Sequence, residues 1–417
     1  MRILLLSDRF QNCPSAYSKL ARDICFQLRD MGHKVAFLPM GYVKGWGEEV
    51  REGIHTYPAG DNAFSEDVAA EYYNDWRADI IMTLKDPWVF QRLQSEALNW
   101  VPFGIIDHDP VSEQITSRLG TAFKCIAPSR FAQRQLRRNS IDSFYIPHNL
   151  DTQTYRQLDK VKCKKLFHHQ PDEFIVGIVA MNRVRKMIPR QMQGYARFLE
   201  NNPDIKNAHL RLWTQLNPQQ PPPELSMGVA DVGVNLIPEI MNLGLNKEPN
   251  EIRWVDPKDY TKLLKKFGGL PEWTSENEQN MVTLYNSFNV VMECTGGEAV
   301  GMTKLEGHAC GVPAITTDYA GAPEYLGAGY TIPYNRDDYI ICDTPGVRRP
   351  LANVDKMAEA LTKLYNSDWE KNARRARRFA ERFDTKSVFE SYWKPFMSEC
   401  ENELYPKLTK EGTSSWA

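Results

Sequence analysis

The sequence predicts an α/β protein built from two doubly wound Rossmann-like domains that face a cleft. Three observations carry that reading. The 417 residues exceed one ordinary domain of roughly 100 to 200 residues. Short apolar runs recur as continuous rather than alternating blocks, the pattern of parallel strands covered on both faces. The strand and helix series also halts in the polar stretch Lys160 to Asp172 and then begins again. Composition agrees, since 42% hydrophobic and 25% charged residues exclude a disordered or fibrous chain. A net charge of -2 names no partner, so any polyanion must meet a local basic patch.

Taken in order, Ile3 to Leu6 forms a first strand, because Ser7-Asp8-Arg9 ends the run too early for a signal peptide. A polar loop over 8–16 leads into a helix over 17–30 with Leu20, Ile24 and Leu28 on one face. Buried strands follow at 35–38, 80–82, 103–106, 125–127 and 144–146 and complete a first domain over 1–160. The run 174–179 opens a second domain over 161–382, with strands near 209–213, 252–255, 289–293, 313–316 and 330–333. Pro218 and Pro221 to Pro223 read as a stiff surface loop inside it. Residues 383–417 form a separate closing segment, a helix with a frayed tail. The eight cysteines show no C-x-x-C spacing and read as free thiols of a reducing compartment. No stretch reaches the ~20 apolar residues of a membrane span, so a cytoplasmic location is expected.

Two such domains turn the C-terminal edges of their strands toward a shared cleft, the expected active site. The richest segment is Gly296-Gly297-Glu298-Ala299-Val300-Gly301-Met302-Thr303-Lys304-Leu305-Glu306. A strand enters a glycine-bearing turn, and a helix starts near Met302 with free N–H groups suited to a phosphate. A carboxylate at Glu306 would repel phosphate, so it suits sugar or ribose hydroxyls. The plain alternative is a capped helix with two surface acids. Arg183, Arg185 and Lys186, with Arg190 beyond, follow the strand that opens the second domain, where cations suit a diphosphate leaving group. A solvated charged face is the alternative.

Asp107-His108-Asp109 reads either as a metal-binding acid pair or as a cleft loop, with a core histidine as the plain reading. The first loop, Gln11-Asn12-Cys13-Pro14-Ser15-Ala16-Tyr17-Ser18, has small residues that let a ligand approach closely and holds no G-x-G-x-x-G, which argues against a dinucleotide oxidoreductase. Lys371, Arg374, Arg375, Arg377, Arg378 and Arg382 pose a nucleic-acid reading against a solvated helix face.

The Glu298 to Glu306 segment, with Cys310-Gly311-Val312-Pro313 after it, resembles the E-x7-E segment of family 4 (group 1) retaining glycosyltransferases of the GT-B fold. The likeness is to phage and actinobacterial members, and further matches lie at Asp86-Pro87-Trp88, 127–131, 146–152 and 317–324. The family usually has Gly-Phe-Gly at 299–301 and glycine at Asn149, where asparagine is next best for positive φ, and many members, phage and actinobacterial ones included, carry Gly-Tyr-Gly at 16–18.

The resemblance implies that Glu306 holds the nucleotide ribose and that Glu298 lies at the donor sugar. Amides at Val300, Gly301, Met302 and Thr303 then meet the diphosphate, with Lys186 and either Arg183 or Arg185. His108, Glu298 and Lys186 become the catalytic set, while Ser15, Ala16, Tyr17 and Asp109 border the acceptor. The implied co-substrate is a nucleotide-diphosphate sugar, a UDP-sugar first among them, with no essential metal. The implied activity is retaining hexosyl or pentosyl transfer. The acceptor is a glycan, lipid or protein, or, in a phage-type enzyme, a hydroxylated or hydroxymethylated base in DNA. A non-catalytic nucleotide-sugar-binding protein or a GT-B epimerase is the alternative of another class. The resemblance also implies a C-terminal helix that crosses back to the first domain, docked through Phe383, Phe389, Tyr392, Trp393 and Phe396.

Overall fold

Ile3 to Leu6 are wholly buried in the first strand, β1 (Arg2–Ser7). The computed structural model describes residues 1–8, 15–41, 49–217, 232–247, 252–254, 276–342 and 346–406. The first sheet adds β2 (Lys34–Pro39), β3 (Glu49–Arg51), β4 (Ile54–Thr56), β5 (Ile80–Leu84) and β6 (Trp100–Pro102), in the order β3-β4-β2-β1-β5-β6. All its pairs are parallel except β3 with β4. A parallel bridge from Phe103 to Ile126 extends it to the pair β7 (Ile126–Ala127) and β8 (Phe144–Tyr145).

The second sheet holds β9 (Phe174–Val179), β10 (Ala208–Trp213), β11 (Arg253–Trp254), β12 (Val290–Glu293), β13 (Ala314–Thr317) and β14 (Gly329–Ile332). It is wholly parallel in the order β11-β10-β9-β12-β13-β14. The order reverses direction at β1/β5 in the first sheet and at β9/β12 in the second. Ligand crevices of doubly wound sheets open at such switch points, beyond the carboxyl ends of the strands.

Two features were not legible as strands. The β3–β4 pair is too short for a periodic signal. The antiparallel hairpin β15 (Tyr334–Cys342) and β16 (Val347–Ala352) exposes most of β15, so it lacks the apolar run that marks a buried strand.

The closing segment returns to the first domain. Val388, Phe389, Trp393, Phe396, Met397 and Cys400 share one apolar cluster with Ile3, Leu5 and Val35, and Tyr392 packs against it. Burying each phenylalanine contributes about 1.5–3 kcal/mol. Phe383 does not join this face. It lies in the second domain's core, 4.9 Å from the Tyr325 ring, because it precedes the crossover. Leu150 and Tyr155, ahead of residue 160, belong to that same core. The proline loop at 218–223, positions 9–14 of the first loop and the tail from 407 lie outside the described residues. Among the described residues no helix is long and apolar enough to cross a membrane.

Candidate active site

Beyond Glu293, at the end of β12, the chain turns and enters the helix Met302–Ala309. Gly301 is its N-cap at φ +78°, and no side chain caps the helix, so its first N–H groups face the crevice without a side-chain partner. A methyl group on Gly301 would collide with Lys304 Nζ and the Glu293 carboxylate. Those two groups form a buried ion pair, Lys304 Nζ to Glu293 Oε2 at 2.6 Å. Lys304 also donates to the Val300 carbonyl at 2.7 Å, and the Thr303 hydroxyl donates to the other Glu293 oxygen. The pair ties strand end to helix start and sets the course of the turn. Sequence reasoning missed it, although a lysine and a glutamate flanking a buried strand-turn-helix were its signal. The Val300 side chain is core, leaving only its backbone for a ligand.

The loop after β9 lies directly beside this turn, since Gly296 donates its N–H to the Arg185 carbonyl at 2.9 Å. Lys186 Nζ is 2.5 Å from Glu298 Oε1, and Arg185 Nη1 is 3.4 Å from the same oxygen. Burial raises the Glu298 pKa, but Lys186 and then Arg185 outweigh it and hold the carboxyl below its usual range. Glu298 is therefore ionised and paired. Asn182 anchors the loop through its amide, which donates to the carbonyls of Gln215 and Val234 at 2.8 Å each. The two candidate arginines differ in their surroundings. Arg185 sits among carboxylates, 4.0 Å from Asp107. Arg183 is partly exposed and makes no ion pair among the described residues.

The first domain closes the other side. Asp107 Oδ1 lies 3.0 Å from Arg349 Nη1 and 2.8 Å from His108 Nδ1. Burial pushes the Asp107 pKa up, yet Arg349, His108 and Arg185 together hold it far below the usual carboxylate range. His108 is only 2% exposed, and its Nε2 accepts the Ser112 N–H at 3.3 Å. Both ring nitrogens are engaged, with Nδ1–H donating to Asp107, so the imidazole is buried rather than open to the cleft. Asp109 donates its N–H to Tyr319 Oη at 2.9 Å, and its carboxylate lies at the surface, 3.5 Å from Arg138. Gly297, at φ +134°, abuts the Asp107 carbonyl, and any Cβ there would collide with it.

The helix Ala16–Asp30 supplies the remaining wall. Ser15 is its N-cap, accepting the Ser18 N–H at 3.0 Å and donating to Asp8 at 2.8 Å, so its hydroxyl is structural. Ala16 begins the helix, and Tyr17 donates to Asp86 Oδ2 at 3.2 Å. Burial and then Asp86 raise the Tyr17 pKa well above its usual value against the pull of Arg185.

Glu306 is buried, with Tyr285 donating to Oε2 at 2.7 Å and Lys19 donating to Oε1. Lys19 also reaches Tyr155 Oη at 2.9 Å, and Arg22 pairs with Glu278 at 2.8 Å one helical turn on. Lys19, Tyr155, Tyr285 and Arg349 were all missed, since nothing in their spacing links them to the turn. Asn149 does not take positive φ. Its amide instead donates to Asp23 and to Thr385, 3.0 Å each, joining the interdomain connection to the first helix and the crossover.

Elsewhere, Lys371, Arg374, Arg375, Arg378 and Arg382 are exposed. Arg377 turns inward to the carbonyls of Thr152, Tyr155 and Ala309 at 3.0, 2.8 and 2.9 Å. The side of this helix that carries Arg377, opposite the exposed cations, therefore meets the end of the Met302–Ala309 helix remote from Gly301. Among the described residues no group of three or more His, Cys, Asp or Glu side chains is arranged to hold a metal ion.

The sequence matches no protein-family profile and no curated protein. Solved structures do resemble it. A sucrose-phosphate synthase from Thermosynechococcus elongatus superposes with a TM-score of 0.66 at 16% identity, covering 96% of this chain and 99% of that one. A glycosyltransferase from Rickettsia africae gives 0.65 at 13% identity, covering 97% and 99%. HepE of Anabaena, in complex with UDP-glucose, gives 0.63 at 16% identity, covering 95% and 100%. The likeness spans nearly the whole of each chain, and the fold is GT-B.

Proposed function

We propose that the chain is a retaining glycosyltransferase that moves a hexosyl or pentosyl group from a nucleotide-diphosphate sugar to an acceptor hydroxyl. The observation that carries this reading is the convergence, at the β9/β12 switch point, of an uncapped helix N-terminus, the cations Arg185 and Lys186, with Arg183 on the same loop, and two buried glutamates. Arg183, Arg185 and Lys186 against Glu298 leave an excess of two positive charges, which a diphosphate would balance. Glu306 then accepts the ribose hydroxyls after Lys19 yields, and Glu298 faces the sugar. Among the structural relatives, HepE is in complex with UDP-glucose, which favours a UDP-sugar here.

In this reading the acceptor approaches from the first domain past Tyr17 and Asp86. It attacks on the face that the diphosphate leaves, so configuration is kept. The departing diphosphate takes the acceptor proton while Arg183, Lys186 and the 301–303 amides stabilise its growing charge. No step requires a metal. A saccharide, lipid or protein acceptor in the cytoplasm fits best. A DNA base is the weaker reading, because the exposed cations share a helix with Arg377, which meets Ala309 at the end of the Met302–Ala309 helix remote from Gly301.

Thermal unfolding with UDP-, GDP-, ADP- and dTDP-sugars tests the proposal. A donor at 100 times its Kd adds about 2.7 kcal/mol to the stability of the domain that binds it. The stabilisation should appear with one nucleotide class and vanish in Glu306→Ala and in Lys186→Ala. Equal stabilisation in those variants would refute the site assignment, and no response to any millimolar donor would refute the transferase.

A further inference from the structure

The hairpin β15–β16 brings to the cleft a cation that the second sheet does not supply. Arg349 stands on β16 in register with Ile340, and its side chain is 4% exposed. Its guanidinium lies 3.0 Å from Asp107 Oδ1 and donates to the Asp107 carbonyl at 3.1 Å. The same side chain lines the donor turn. A methyl group on Gly296 would meet Arg349 Cβ at 2.8 Å, and one on Gly297 would meet its Nη1 at 3.0 Å. A second tie runs parallel to the first. The Tyr334 ring, at the base of the hairpin, packs edge-on at 5.3 Å against Tyr319, whose hydroxyl accepts the Asp109 N–H. The hairpin thus holds Asp107 directly and braces Tyr319, which holds Asp109, while touching the turn that leads to Glu298.

We propose that Arg349 is a positioning residue, holding the first-domain loop against the Gly296–Gly297 turn so that the two halves of the active site align when the cleft is closed. This rests on the transferase reading. Arg185 cannot replace Arg349, because it lies 4.0 Å from Asp107 and is shared with Glu298. The groups assigned to the donor nucleotide sit in the second domain and keep their own contacts without Arg349. Loss of the pair therefore acts on transfer rather than on donor affinity. The two side chains act as one unit, so removing both costs little more than removing either. Lysine restores the charge without the planar fork and recovers only part of the function.

The test measures donor Kd by calorimetry and kcat for transfer in wild type, Arg349→Ala, Arg349→Lys, Asp107→Asn and the Arg349→Ala/Asp107→Asn double variant, using the donor that stabilises the wild type. The expected result is a kcat loss of about tenfold or more in Arg349→Ala and Asp107→Asn, with donor Kd within roughly threefold of wild type. Arg349→Lys should fall between, and the double variant should lie within about twofold of the worse single. An unchanged kcat in Arg349→Ala, losses that multiply in the double variant, or a Kd that weakens in step with kcat would each overturn the inference while leaving the transferase standing. A wild type that binds no donor overturns both. Should Arg349→Ala fail to fold, Arg349→Lys and Asp107→Asn decide by the same split between kcat and Kd.

Discussion

Replacing Lys304 by methionine tests the construction of the turn that joins Glu293 to the Met302–Ala309 helix. The ammonium is fully buried, and Glu293, 2.6 Å away, is 5% exposed. Methionine keeps most of the stem's volume but leaves the Glu293 carboxylate with the Thr303 hydroxyl as its remaining donor from the helix, and strips the Val300 carbonyl of its bond. Removing one partner of a buried ion pair costs about 3–5 kcal/mol, since the other charge stays buried and uncompensated. For domains of roughly 150–250 residues each kcal/mol lowers Tm by about 2–4 °C, so a fall of roughly 6–20 °C is expected. Adding Glu293→Gln removes the orphaned charge and should recover part of that loss. Calorimetric melts of the wild type, the single and the double variant at pH 7 measure both effects. A fall below about 2 °C in Lys304→Met, or a double variant less stable than the single, would refute the argument that this pair holds the turn.

Two further outcomes follow from the geometry. Burial pushes the Asp23 carboxyl up to about 6 against the pull of Arg22. A folded pKa above the ordinary 3.8 means that the native state holds the proton more tightly, so its contribution is complete below pH ~4 and lost as pH rises through 6. Relative to Asp23→Asn, wild type should therefore lose on the order of 3 kcal/mol of stability between pH 4 and 7, and parallel melting curves across that range would contradict it. Replacing Arg374, Arg375 and Arg378 together by alanine should leave donor binding and transfer within about twofold of wild type, because exposed ion pairs contribute little and this face is remote from Gly301. Salt-dependent DNA binding that disappears in the triple variant, together with lost transfer, would instead favour a nucleic-acid acceptor.

Much of the architecture is written locally. Strands buried on both faces must be continuous apolar runs, so Ile3 to Leu6 and Phe174 to Val179 announce themselves, and the polar interval before Phe174 separates two sheets. The turn from Gly296 to Glu306 is equally legible, since glycine at Gly297 and Gly301 answers to positive φ and to contacts that admit no Cβ. The exposed strand β15 left no such mark, and the hairpin with Arg349 went unseen.

Backbone hydrogen bonding imposes a period that burial prints on neighbouring residues, so the chain alone announces the pair of sheets, the glycine-bearing turn after β12 and the cations that follow β9. Which charges meet is settled by the folded chain and not by its local pattern. Lys19 reaches Glu306 across 287 positions of sequence, Arg349 reaches Asp107 from the far hairpin to join the adjacent His108, and His108 turns inward. Such pairings depend on how two domains close and on the desolvation of each carboxylate within the cleft, and no spacing along the chain encodes either.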